Sequence, residues 1–193
     1  MELIKSNLQL TLAEKITFLI KFLKSPCQVG SITPSSRFLA VKMLEPIDWQ
    51  AVDAVAEFGA GTGAFTKYIQ AVKKQNCKVA VFEKDDKMRN MLRTLCPDLN
   101  YFKDAARLSE ATRSIGLDSL DAIISGLPFA LFAEDMREQI IDEAIQSLKP
   151  QGIFVAFQYS LQMKPLLSRK FSQVKISFVP RNIPPAFVYV CRK

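Results

Sequence analysis

Three alternating glycines, Gly59, Gly61 and Gly63, interrupt the stretch from Val52 to Thr66 and constrain the fold of this chain more than any other feature. Before them, Val52 to Phe58 is a short apolar run with strand character. After them the chain resumes as a helix through Tyr68, Ile69 and Val72. A strand, a tight glycine turn and a helix make the first half of a βαβ unit that holds a nucleotide. Gly59 and Gly61 let the backbone turn sharply and approach a ligand with no Cβ in the way. A second apolar strand, Val79 to Phe82, ends in Glu83, at the distance from the loop where an acid hydrogen-bonds both hydroxyls of a ribose.

Two cofactor classes fit such a loop. Residues 59 to 64, read as G-x-G-x-x-A, match a dinucleotide fingerprint. Residues 57 to 63, read as E-x-G-x-G-x-G, resemble motif I of the class I methyltransferases, which use S-adenosylmethionine. Glu57 favours the second reading. Pyrophosphate repels a carboxylate, whereas a methionine ammonium or a sulfonium attracts one. The place of Glu83 speaks against a glycine turn that binds nothing.

The 193 residues are expected to form one domain, residues 1–193, with 1–46 as a helical extension at its N-terminal side. The apolar fraction of 49% suits a globular core, and runs such as Ile153 to Phe157 are too short to span a bilayer. Glu2 and Lys5 sit where a signal peptide would begin, so no export is expected. Cys27, Cys77, Cys96 and Cys191 form no C-x-x-C pair and read as reduced thiols, with no metal site. With no histidine in the chain, histidine triads and histidine-ligated zinc are excluded.

The net charge of +7 is unevenly spread. Residues 161–193 carry seven basic groups and no acid; residues 1–47 are +3 and the middle is −3. Two positive ends suit a partner with phosphates, either nucleic acid or an anionic membrane surface, with solvated lysines as the plain alternative.

Along the chain, residues 11–24 read as an amphipathic helix, with Leu12, Ile16, Leu19, Ile20 and Leu23 on one face. Phe18 and Phe22 widen that face and Lys15, Lys21 and Lys24 border it, as in helices that lie on lipid; packing on the domain is the other reading. Thr33 and Pro34 mark the start of a capping helix over about 34–44, where Arg37 is the anion-binding side chain. Asp85 caps a helix to about Cys96 with Met88, Met91, Leu92 and Leu95 inward, and Leu99 to Phe102 is a short strand. Asp104 and Ala105 follow it, at the sheet end where ligands bind, and Asp104 is a candidate acceptor for an adenine amino group. A fourth strand, Leu120 to Ile124, runs into Ser125-Gly126-Leu127-Pro128-Phe129. A helix over about 134–148, stopped by Pro150 and Gly152, precedes a fifth strand from Ile153 to Tyr159. Too little chain separates the last two strands for a crossover, so they form an antiparallel hairpin. The expected architecture is α/β and Rossmann-like: a seven-stranded, mostly parallel sheet with a C-terminal antiparallel hairpin, helices on both faces, and N-terminal helices.

Pro128 stiffens the 125–129 turn, so the carbonyls of Ser125, Gly126 or Leu127 can point at an amine, and the Phe129 ring offers a face that a cation prefers. The turn resembles motif IV of amino methyltransferases, and more nearly the N-L-P-Y form of rRNA adenine dimethylases. It departs from them by serine at 125 and phenylalanine at 129, which removes the amide that accepts from a base. A nearer resemblance is to the bacterial phospholipid N-methyltransferases, which methylate phosphatidylethanolamine. It rests on Val29 to Ser36, on Ser125 to Pro128 and on Asn182 to Tyr189, together with motif I and Glu83.

That resemblance implies an N-methyltransferase that uses S-adenosylmethionine and releases S-adenosylhomocysteine. It implies cofactor binding by Glu57, Gly59, Ala60, Gly61, Gly63, Glu83, Lys84, Asp104, Ala105 and Ser125. Ser125, Gly126, Leu127, Pro128 and Phe129 would face the amine, and Ser35, Ser36, Arg37, Arg181 and Asn182 the lipid phosphate. Such an enzyme is expected in the cytoplasm, held peripherally on the inner face of the cell membrane by Phe18, Phe22, Lys15, Lys21 and Lys24. Two rival readings stand beside it: an adenine N-methyltransferase acting on RNA, and a cofactor-binding domain that works as an interaction module. The RNA reading is weakened because no helical domain follows the last strand, as it does in rRNA dimethylases.

Overall fold

In the computed structural model, which describes residues 34–193, the apolar runs become seven strands: β1 (Ala54–Phe58), β2 (Lys78–Phe82), β3 (Asn100–Phe102), β4 (Leu120–Ser125), β5 (Leu148–Gln158), β6 (Gln173–Val179) and β7 (Ala186–Arg192). The expectations for 11–24, including Lys15, Phe18, Lys21, Phe22 and Lys24, lie outside the described residues. Six helices accompany the strands among the described residues: α1 (Pro34–Leu44), α2 (Thr66–Val72), α3 (Asp86–Leu95), α4 (Leu108–Ser114), α5 (Glu134–Ser147) and α6 (Lys164–Lys170). The sheet order is β3-β2-β1-β4-β5-β7-β6. β1 to β5 are mutually parallel, while β7 runs antiparallel to both β5 and β6. The expected sheet and terminal hairpin are therefore present.

Each central strand is buried on both sides, so its alternating side chains feed two cores. Val55, Val79 and Val81 face one core with Leu39, Met43, Ile69 and Leu92 from α1, α2 and α3. Ala54, Ala56 and Phe58 face the other with Leu108, Ile140, Ile141 and Leu167 from α4, α5 and α6. Each fully buried Leu, Ile or Phe contributes about 1.5–3 kcal/mol of transfer free energy. The two cores thus fix the strand order that brings the carboxyl ends of β1, β2 and β4 together.

Three details differ from expectation. Leu92 alone is buried in α3; Met91 and Leu95 are exposed, because α3 lies near the outer edge of the sheet, where β3 is only three residues long. The α4 and α6 helices are seven residues each, too short for a helical period to stand out in the sequence. The fifth strand starts at Leu148, earlier than predicted. Its pairing with β4 slips between Leu148 and Ile153, and Gln151 sits at φ 65° to accommodate Pro150 and Gly152.

Candidate active site

The glycine loop is pinned by three backbone N–H groups to two acceptors. The N–H groups of Gly59 and Ala60 donate to the Phe82 carbonyl at the end of β2, at 2.8 and 3.2 Å. The Gly61 N–H donates to Glu83 Oε2 at 2.7 Å. Gly59, Gly61 and Gly63 all have positive φ, at 68°, 54° and 83°, a region that L side chains enter only with strain. A Cβ on Gly61 would meet no atom within 4 Å, so the loop presents bare backbone to open space at its crest.

Glu83 bridges the loop to the next turn, since its Oε1 accepts from Asp85 N–H at 2.8 Å. Asp85 in turn caps α3 through Met88 N–H, and Arg89 reaches back to the Glu83 carbonyl at 2.7 Å. Glu83 is nearly buried, while Lys84 beside it is exposed. Asp104 stands at the end of β3, where it caps a short 3-10 turn over Ala105–Arg107 by accepting from Ala106 N–H at 2.9 Å; Ala105 packs inward behind it.

Glu57 is fully buried on β1, and neither carboxylate oxygen has a hydrogen-bond partner among the described residues. Burial pushes its carboxyl up to about 7; the Thr66 hydroxyl and N–H at the start of α2 oppose that rise, and the charge of Glu83 adds to it. Thr66 faces the carboxylate without completing a bond of normal geometry, since its Oγ1 is also unpartnered. A buried carboxylate with both oxygens orphaned behind a glycine loop is a place where a cation is stabilised.

The second loop folds directly against the first. Gly126 N–H donates to the Phe58 carbonyl at 2.7 Å. A Cβ on Gly126 would stand 2.9 Å from the Gly59 carbonyl, and one on Gly59 would stand 3.0 Å from Leu127 Cδ2. The two turns are therefore in contact through glycine backbone that no other residue could supply without displacing it.

Within the 125–129 turn the side chains have distinct jobs. Ser125 is fully buried and its Oγ accepts from Leu127 N–H at 3.3 Å, bracing the turn. The Leu127 carbonyl accepts twice, from Phe129 N–H at 3.0 Å and from Gln158 Nε2 at 3.0 Å. With both its lone pairs engaged, Leu127 drops out as an amine acceptor. The Gly126 carbonyl receives no hydrogen bond from the described residues and is half-buried, which makes it the available acceptor. Phe129 corrects an expectation: its ring is fully buried in the second core, edge-on to Phe132 at 5.9 Å, and shows no face to an amine. The apolar faces of β1, β4 and β5 draw it inward because the turn places it just past the end of β4.

Of the residues expected on the phosphate, the side chains of Ser35, Ser36 and Arg37 lie outside the described set. Arg181 is exposed at the β6–β7 turn with its guanidinium 5.1 Å from the Phe38 ring centroid. Asn182 is buried and its Nδ2 donates to the Pro184 carbonyl at 2.7 Å, so it braces that turn rather than offering its amide to a ligand. Sequence reading missed Gln158, whose carboxamide at the end of β5 fixes the acceptor turn. It also missed Tyr159, where burial raises the phenol and neighbouring Asn182 acts in the opposite sense. Their place at the carboxyl end of a central strand was the available signal.

No group of three or more potential ligands for a metal ion occurs among the described residues, and Cys77, Cys96 and Cys191 are free and buried. No helix among them is long and apolar enough to cross a membrane.

Known proteins resemble this chain in sequence and in fold. The methyltransferase small domain family matches residues 29–179. The ornithine lipid N-methyltransferase of Singulisphaera acidiphila is 32% identical over 180 residues, covering 91% of this chain and 94% of that protein. The N-methyltransferase NodS of Bradyrhizobium japonicum WM9, solved with S-adenosyl-L-homocysteine, has a TM-score of 0.71 at 15% identity, covering 92% of this chain and 97% of that one. An rRNA methylase from Streptococcus thermophilus shares the fold too, with a TM-score of 0.56 at 17% identity over 84% of this chain and 95% of that one. At such identities the structural likenesses speak to the fold alone, and acceptors of very different size share it.

Proposed function

The chain belongs to the methyltransferase small domain family, within the class I S-adenosylmethionine-dependent enzymes of the lipid N-methyltransferase type, and on that premise we propose that it methylates the amino head group of phosphatidylethanolamine at a membrane surface. That it is an S-adenosylmethionine-dependent N-methyltransferase follows from family and relative together.

The residues present fit S-adenosylmethionine. The bare crest at Gly61, the Glu83 carboxylate at the end of β2 and the orphaned, buried Glu57 together suit a ligand that combines ribose hydroxyls with positive charge. Glu83 would hold the ribose, the glycine loop the amino-acid portion, and Asp104 with Ala105 the base. When bound, the cofactor supplies a methyl carbon made electrophilic by its sulfonium.

The rest of the chemistry is positioning, and this chain's residues perform it. An amine must aim its lone pair at the methyl carbon from the side opposite sulfur, and it attacks only as the neutral base. The Gly126 carbonyl, which receives no hydrogen bond from the described residues, would accept one amine N–H and so aim the lone pair. Gln158 keeps the Leu127 carbonyl out of that role. Ser125 and Phe129 hold the turn rigid from beneath. A neutral carbonyl stabilises an ammonium less than a carboxylate would, so it leaves the amine free to lose its proton to solvent, and the protein contributes orientation.

The observation that carries the substrate class is the acceptor turn itself. It offers backbone carbonyls and a buried serine in place of a side-chain amide, which suits a small alkylamine better than the edge of a base. A second reading is an ornithine lipid head group, favoured by the 32% identical relative that acts on that lipid. Both present a primary alkylamine. Incubating the enzyme with vesicles carrying one lipid or the other, and weighing the products by mass spectrometry, separates them. Methylated phosphatidylethanolamine is expected; methylation confined to ornithine lipid would move the assignment to the second reading.

A further inference from the structure

Resting on the lipid reading above, we infer that the β6–β7 turn, residues 180–185, is a wedge that seats the active-site mouth on an anionic bilayer. The register places it there. Phe187 pairs with Gln158 on one side and with Phe178 on the other, so the turn rises from the same end of the sheet as the strand terminus that holds the acceptor turn.

Its surface is apolar on two sides. Ile183 is 74% exposed at the tip and Phe178 56% exposed on the flank, where it lies against Phe187 with ring centroids 5.1 Å apart. On the opposite flank Phe38 of α1 is 43% exposed beneath the Arg181 guanidinium. Exposed apolar side chains that surround a cation match the boundary between acyl chains and charged head groups.

The backbone of the turn suits that boundary as well. A polar group carried into an apolar layer must be satisfied internally or be absent. Pro180, Pro184 and Pro185 have no N–H to satisfy. Asn182 donates its N–H to the Val179 carbonyl at 3.3 Å and its side-chain amide to the Pro184 carbonyl at 2.7 Å, closing the turn on itself. The same prolines make the turn a poor template for an added strand, which argues for lipid over a strand-pairing protein. Charge agrees: Arg181 belongs to a stretch, residues 161–193, that holds seven basic groups and no acid.

The test is co-sedimentation of the full chain with phosphatidylethanolamine vesicles, with and without phosphatidylglycerol. The variants are Phe178→Glu with Ile183→Glu, and Arg181→Ala. Calorimetric S-adenosylmethionine binding checks the fold of each, and soluble short-chain phosphatidylethanolamine reports the chemistry without a surface. The double variant is expected to lose about tenfold or more in vesicle partitioning, because two exposed apolar side chains no longer enter the interface. Arg181→Ala is expected to lose about fivefold, and only on the anionic vesicles. All variants should bind the cofactor as the parent does, and the double variant should also methylate the soluble lipid at the parental rate. Unchanged vesicle binding by the double variant would overturn the wedge, including the case in which residues 1–33 carry all the attachment. Loss of a self-associated species in sedimentation velocity, with vesicle binding intact, would assign the patch to a second copy and overturn it too. If vesicles bind through the wedge but no lipid is methylated, the wedge stands and the substrate reading falls.

Discussion

The backbone N–H of Gly61 donates to Glu83 Oε2 at 2.7 Å, so the crest of the glycine loop and the acid after the second strand form one unit. Glu83 closes that unit from both sides, because its other oxygen holds Asp85 N–H at the cap of α3. The Glu83→Ala variant therefore loses a ligand contact and a loop brace together. It should bind S-adenosylmethionine more weakly by about 1–3 kcal/mol, the size of a lost charge-assisted hydrogen bond. Isothermal calorimetry measures this, with circular dichroism to confirm folding. Parental affinity in a folded variant would remove Glu83 from the site.

Glu57 makes stability depend on pH in an unusual direction for a carboxylate. Its carboxyl is raised from 4.5 to about 7 by burial, so the folded chain holds this proton more tightly than the unfolded one. The protonated form is favourable below about 4.5; as pH rises through 7 the folded state must accept a buried charge, and stability falls. The full difference is on the order of 3–4 kcal/mol, since each tenfold gain in proton affinity is worth about 1.4 kcal/mol. Glu57→Gln should remove this loss. Urea midpoints at pH 5 and pH 8 should show the variant gaining on the parent at pH 8. An equal gap at both values would mean that Glu57 is not carrying a buried charge.

Gln158 should affect turnover and spare the cofactor. Its Nε2 donates to the Leu127 carbonyl in the acceptor turn and makes no hydrogen bond to the glycine loop. In Gln158→Leu the Leu127 carbonyl is freed to compete with Gly126 for the amine. A kcat lower by about tenfold is expected, equivalent to one weakened orienting contact of about 1.4 kcal/mol, with the dissociation constant of S-adenosylmethionine unchanged. Equal losses in kcat and in cofactor affinity would show a general collapse of the site instead.

Phe129→Ala should behave as a core mutation. The ring is fully buried, so its removal is expected to cost about 3–5 kcal/mol of stability through lost burial and a cavity. Thermal unfolding measures it. A variant with unchanged stability and a low rate would return the ring to the substrate.

These cases show what could be read in advance. The glycine loop and the place of Glu83 after the second strand are legible because they are written locally: each needs a residue type at a fixed spacing within one βαβ unit. The terminal hairpin is legible because too little chain separates its strands for a crossover. The role of Phe129 was not legible. Whether a ring beside a Pro turn faces ligand or core depends on how β1, β4 and β5 pack beneath it, which no local pattern records. Gln158 escaped for the same reason, since its partner lies 31 residues away in the chain. Asn182 looked like a donor by type, and only the closed turn shows that its amide is engaged.

The most direct measurement is radiolabelled methyl transfer from S-adenosylmethionine by the full chain, with phosphatidylethanolamine vesicles and ribosomal RNA offered side by side. The acceptor turn, with buried Ser125 where the N-L-P-Y motif has its amide and with the Gly126 carbonyl left without a hydrogen bond from the described residues, predicts label in the lipid and none in the RNA. Label in the RNA with none in the lipid, from a protein that binds the cofactor normally, would contradict the account.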